Sequence, residues 1–191
     1  MDGDGNIDLV VGAIFDDDGG SNRGAVYILF LTAAGTVRAQ QKISSTQGGL
    51  TGLIDHNLFG SSVAPLGDLD GDGNIDLVVG ALYDDDGGTN RGAVYILFLT
   101  AAGTVRTQSK LSDTTPGLTG TLTNSDFFGV SVTFLGSLNA THGGPPMLAV
   151  GTDMNGWNGA GGVLMISLTS LPSPPPPPLL PSPPPSPPPS P

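Results

Sequence analysis

The chain has 191 residues, a formal net charge of −11 and no cysteine. All 17 of its acidic residues are Asp, set against six Lys and Arg. That balance argues against a basic nucleic-acid surface, and the lack of thiols excludes disulfides, thiolate metal sites and cysteine nucleophiles. Asp favours turns and caps where Glu favours helices, so with 30 Gly the composition points to a turn-rich, all-β protein. Met1 is followed by Asp-Gly-Asp-Gly, not by the basic and apolar regions of a secretory leader. The longest apolar stretch, GAVYILFLTAAGTV at 24–37, is too short and too broken to cross about 30 Å of hydrocarbon.

The chain opens with DGDGNIDLVVGA at 2–13, and the same string returns at 70–81. Residues 2–44 match residues 70–112 with six mild differences: Ile14/Leu82, Phe15/Tyr83, Ser21/Thr89, Ala39/Thr107, Gln41/Ser109 and Ile43/Leu111. The offset is 68 residues. A decayed third copy follows, in which FFGVSVTFLGSLN (127–139) stands for LFGSSVAPLGDLD (58–70), MLAVG (147–151) for DLVVG (76–80) and GGVLMISL (161–168) for GAVYILFL (92–99). A long fixed period implies a stacked or radial architecture in which no unit buries its core alone.

The complete middle unit predicts four strands in order: 59–67, 75–82, 92–99 and 104–111. The second and third are continuous apolar runs of strand length bounded by Gly, the pattern of strands buried on both faces. The fourth alternates polar and apolar residues, as an outer strand with one wet face does. The turns GDLDGDGN, DDDGGTNRG and TAAGT are rich in residues that tolerate positive φ. Four antiparallel strands whose inner pair is apolar on both faces need a sheet on either side, and the blades of a β-propeller meet that need. The units divide as 1–57, lacking its first strand, 58–126, complete, and 127–171, degenerate. That makes about two and a half blades of an open propeller. Such an arrangement leaves apolar faces or edges exposed and open to self-association or to further blades of a longer parent chain.

The loop GDLDGDGN raises an electrostatic question, since like charges about 4 Å apart repel by roughly 1 kcal/mol even in bulk water. A cation answers it. Ca²⁺ takes six to eight oxygens, and alternate side chains of a tight loop converge on one point. Asp68, Asp70, Asp72, Asn74 and Asp76 have that spacing, with the Asn74 carbonyl as one oxygen and water completing the shell. Gly71 and Gly73 let the chain curl. An EF-hand needs Glu at the twelfth position and flanking helices; Val79 and two strands stand there instead. The competing reading is a plain Asp-rich turn. Asp2, Asp4, Asn6 and Asp8 make a weaker, partial site. In the third copy Ser137, Asn139 and Thr141 replace the first three ligands, and the site is lost. Asn139-Ala140-Thr141 is an N-glycosylation sequon, relevant if the chain is secreted.

Asp16-Asp17-Asp18 and Asp84-Asp85-Asp86 read as solvated hairpin turns rather than second cation sites, since adjacent side chains do not converge. Arg23 and Arg91 are expected to pair with them at the surface. Nothing points to catalysis. His56 and His142 lack metal-ligand spacing, Trp157 reads as a packing residue, no Glu can pair with an Asp, and no nucleophile elbow or phosphate loop is present.

Phe59-Gly60, the Asp68–Asp76 loop and Gly80-Ala81 together resemble the FG-GAP repeat of the integrin α-subunit propeller, over roughly residues 2–168. The proline usual after Gly-Ala is Leu82 here. The resemblance implies a propeller, usually of seven blades, with calcium in the blade loops and a protein or carbohydrate ligand on a propeller face. From 172 on, PSPPPPPLLPSPPPSPPPSP cannot pack a core and is expected to be a disordered polyproline II tail. It resembles the Ser-Pro spacers of hydroxyproline-rich cell-wall glycoproteins; docking of SH3-, WW- or profilin-type partners is the alternative. The reading that results is a Ca²⁺-stabilised segment for extracellular, cell-surface or cell-wall recognition or adhesion, and not an enzyme. The alternatives are an accessory propeller of a secreted hydrolase or lectin, or a truncated product without independent function.

Overall fold

A computed structural model describes residues 1–118, 122–137, 144–153 and 161–170. Among these described residues ten strands run in chain order: β1 Leu9–Ala13, β2 Ala25–Leu31, β3 Val37–Ile43, β4 Phe59–Gly67, β5 Asp76–Ala81, β6 Ala93–Leu99, β7 Val105–Leu111, β8 Ser131–Ser137, β9 Pro146–Thr152 and β10 Gly162–Ser167. They form three antiparallel sheets, ordered β1-β2-β3, β4-β5-β6-β7 and β10-β9-β8. The described residues contain no α-helix, only a 3-10 turn at Leu168–Ser170. The expectation of an all-β, incomplete propeller holds.

The duplication is repeated in the pairing. Leu9 faces Leu29 as Leu77 faces Leu97, and the ladder breaks between Phe30 and Leu31 as it does between Phe98 and Leu99. Every residue of β5 and β6 is buried, as their continuous apolar runs require. The identical run in β1 is half exposed, because sheet 1 is covered on one face only. Pro65 sits in β4, an edge strand, and Pro146 opens β9, two places where a missing N–H costs no ladder bond.

Two cores hold the sheets together. Val26, Ile28 and Phe30 of sheet 1 pack with Leu77, Val79 and Leu97 of sheet 2. Val94, Ile96 and Phe98 of sheet 2 pack with Leu148 and Val150 of sheet 3. The Phe-Gly pairs lock each junction. Phe59 N–H donates to Arg23 O at 3.0 Å and Phe128 N–H to Arg91 O at 2.9 Å, so each sheet hooks onto the hairpin of the one before. The Phe59 ring meets Tyr95 edge-on, with centroids 5.6 Å apart. The fit is tight enough to demand glycine: a Cβ on Gly12 would lie 2.0 Å from Gly60 O, and one on Gly80 2.1 Å from Gly129 O.

Candidate metal centre

The loop between β4 and β5 carries the acidic cluster. Asp68 sits at its rim, exposed, and its carboxylate accepts from the N–H groups of Gly71 (2.8 Å), Asp72 (3.0 Å) and Gly73 (2.9 Å). Gly71 and Gly73 have φ of +79° and +90°, which is what lets those donors turn inward. Asp76 opens β5 and is fully buried. Its two oxygens accept from Leu99 N–H (3.0 Å) and Leu69 N–H (2.9 Å), tying the loop to the far end of β6.

One carboxylate oxygen from each of Asp68, Asp70 and Asp76 lies within 4.8 Å of the other two. Oxygens bound to one Ca²⁺ at about 2.3–2.6 Å can be no more than about 5.2 Å apart, so a single ion can touch all three. Among the described residues no other triad of Asp, Glu, His or Cys converges in this way. The donors are all hard oxygens, the set that Ca²⁺ prefers. Asp72 and Asn74 bond to each other within the same loop. Asp72 Oδ1 accepts from both the backbone and the side-chain nitrogen of Asn74, at 2.9 and 3.0 Å.

The site's electrostatics call for positive charge. Burial pushes the Asp76 carboxyl up to about 6; its two backbone donors pull it back, and the charges of Asp70 and Asp72 push it up again. Arg106 of β7 supplies one cation, pairing with Asp70 and lying 3.5 Å from Asp72. In the first copy Arg38 pairs with Asp2 and Asp4, while Asp8 accepts from Leu31 N–H at 3.0 Å and from the Met1 amino group. Asn6 bonds to Asp4, and no three carboxylates meet there. Ser137, at the third copy's equivalent position, donates to Gly144 O at 2.7 Å. Asn139, Thr141, His142, Trp157 and the tail from 172 lie outside the described residues.

The hairpin aspartates differ from expectation. Asp84 is buried rather than solvated, and its partner is Lys110, 2.8 Å away and equally close to Asp86. Lys42 does the same for Asp16 and Asp18 at 2.8 and 2.6 Å. Burial opposes the charge on Lys110, but its bonds to Asp84 and Asp86 outweigh that and raise its pKa. Burial also raises Asp84, with Lys110 offsetting part of the effect. The arginines reach past these turns: Arg23 pairs with Asp55 at 2.8 Å and Arg91 with Asp113 at 2.5 Å. Local spacing favoured a contact within the hairpin, but the side chains extend toward the following loop. The roles of Arg106 and Lys110 went unread in the sequence, although a signal was present. All six cations fall in three repeat pairs, Arg23/Arg91, Arg38/Arg106 and Lys42/Lys110.

Comparison with known proteins agrees with this architecture. Residues 59–97 match a family model described as FG-GAP repeat, and residues 1–30 match a second model of the same description. The chain is 34% identical over 156 residues to integrin alpha-5 of Xenopus laevis and 35% identical over 156 residues to integrin alpha-IIb of Homo sapiens. Each alignment covers 79% of this chain and 14% of the relative, so the chain spans about a seventh of their length. Integrin alpha-PS2 of Drosophila melanogaster is 38% identical over 101 residues, half of this chain and 7% of the relative.

Proposed function

The chain is built from FG-GAP repeats of the integrin α type, and from that premise we propose that residues 68–76 hold a structural Ca²⁺ in a propeller segment devoted to extracellular recognition or adhesion. The observation that carries the metal is the convergence of Asp68, Asp70 and Asp76 on one point. Asp72 and the Asn74 carbonyl would complete the protein's share once the loop closes on the ion. The Asp2–Asp8 loop would bind more weakly, since no three carboxylates converge there. The ion's role here is to neutralise a buried carboxylate and to clamp the turn between β4 and β5. The segment itself does no chemistry; it presents a surface to a protein or carbohydrate ligand at the cell surface or in a cell wall.

A thermal melt in excess EGTA and again in millimolar Ca²⁺ tests the reading. At a free concentration of 100 dissociation constants one site adds about 2.7 kcal/mol, which for a chain of this size raises the melting temperature by roughly 5–10 °C. Asp70→Ala should abolish the rise. A cooperative melt that Ca²⁺ leaves unmoved would reduce the loop to an acidic turn.

A further inference from the structure

Asp70 is claimed from two sides. One of its carboxylate oxygens belongs to the group that converges with Asp68 and Asp76. Its Oδ2 accepts from Arg106 Nη2, and its Oδ1 from Asp72 N–H at 3.2 Å. Arg106 also brings its Nε to 3.5 Å from Asp72 Oδ2. The guanidinium belongs to β7, which follows the Thr100–Thr104 turn, so it reaches the acidic loop across the end of β6. These contacts are set into the protein. The side chains of Asp70 and Asp72 are 4% and 7% exposed, and that of Arg106 is 19% exposed. Ion pairs this sheltered are screened far less than surface pairs. A guanidinium also donates from a rigid fork, which lets one side chain face two carboxylates at once.

We propose that Arg106 is an internal competitor for the cation at residues 68–76 and sets the affinity of that site. The role rests on the calcium reading of the loop. Ca²⁺ takes six to eight oxygens, and the bonds it draws from Asp70 and Asp72 are made at the expense of their bonds to the guanidinium. A guanidinium and a divalent ion on one carboxylate also repel each other, where little water lies between them. Both effects have the same sign, and both lower the affinity for the ion. One charge-assisted hydrogen bond of this kind corresponds to at least about tenfold in a binding constant. The same guanidinium supplies counter-charge to Asp70 and Asp72 when calcium is scarce. A loop so built exchanges one cation for another, and its set point is written in β7 rather than in the loop itself.

Equilibrium dialysis of the full chain against radiolabelled Ca²⁺ reads the affinity directly. Arg106→Met removes the charge and keeps an unbranched stem in β7. It should bind Ca²⁺ at least about tenfold more tightly than wild type. Its melting temperature should fall below that of wild type in EGTA and recover toward it in saturating Ca²⁺, whereas a mere loss of packing would lower both melts alike. Arg106→Lys keeps a charge without the fork and should lie between the two; it carries the test if Arg106→Met does not fold. Binding that appears in Arg106→Met but not in wild type would support the competition as well. A wild-type affinity equal to or above that of the variants would overturn the role of Arg106 and leave the calcium site standing. Wild type and variants that all fail to take up Ca²⁺ would overturn both.

Discussion

Gly80→Ala puts the inter-sheet fit to a quantitative test. Gly80 lies within β5 at an ordinary strand φ, so alanine is locally welcome and should gain about 0.5–1 kcal/mol from reduced chain entropy. The added Cβ, however, would stand 2.1 Å from Gly129 O, 2.5 Å from Ser62 Oγ and 2.9 Å from Ser61 Oγ. Close carbon–oxygen contacts settle at about 3.3 Å or more. The serines can rotate away, but the carbonyl cannot, since the Gly129 backbone is held by its N–H bond to Gly151 O at 3.1 Å. Sheets 2 and 3 must then part by roughly 1 Å across the core of Val94, Ile96 and Leu148. Overpacking of this kind costs about 1–3 kcal/mol, and separating a packed core adds to it. Net of the local gain, a loss of about 2 kcal/mol is expected, or roughly 4–8 °C in melting temperature. Urea unfolding followed by circular dichroism measures it. Gly162→Ala is the control, because its new Cβ would meet nothing nearer than Thr152 Oγ1 at 3.1 Å. A Gly80→Ala chain as stable as wild type, or a Gly162→Ala chain equally damaged, would refute the argument.

Lys110→Met strands Asp84 in the core without a cation; breaking a buried pair costs about 3–5 kcal/mol, and the partial exposure of Lys110 places this case near about 2–3 kcal/mol, measured by urea unfolding at neutral pH. Lys42→Met should cost less, because Asp16 is more open to solvent than Asp84. Without calcium, the raised carboxyl of Asp76 makes stability fall with rising pH: between about 4 and 6 the folded state keeps a proton that the unfolded chain has released. Melts in EGTA at pH 4.5–7 should show that slope, Asp76→Asn should flatten it, and an unchanged slope in the variant would refute the assignment.

The strand pattern was legible because burial on both faces writes continuous apolar runs, and because duplication writes each run twice. The Phe-Gly and Gly-Ala pairs were legible as motifs, but their work is done across sheets: Gly60 and Gly129 press against Gly12 and Gly80 of the preceding sheet. No local spacing shows that. The acidic loop could be read because alternate carboxylates of a tight loop converge, whereas the pairing of Asp72 with Arg106 could not, since it joins the loop to a different strand. The hairpin aspartates misled for a similar reason. Three adjacent Asp look solvated in sequence, but the turn folds back, so that Asp84 bonds to Lys110 two strands away.

Sheets 1 and 2 are also nearly the same object, with a consequence for assembly of the chain. While folding, β2 meets two candidate partners, β1 and β5, that present the same five residues in the same register. Pairing energy alone hardly separates the right hairpin from the exchanged one, a degeneracy that near-repeats pay for in misassembly. The discrimination falls to the contacts that flank each hairpin. β4 can add to β5 alone, and its Phe-Gly hook seizes the Gly24 hairpin only when β1 and β2 are already together. The order of folding is thus biased toward local hairpins first and docking second. Slowing hairpin closure at the Gly19–Gly24 turn should divert chains into strand-swapped forms rather than simply delay them.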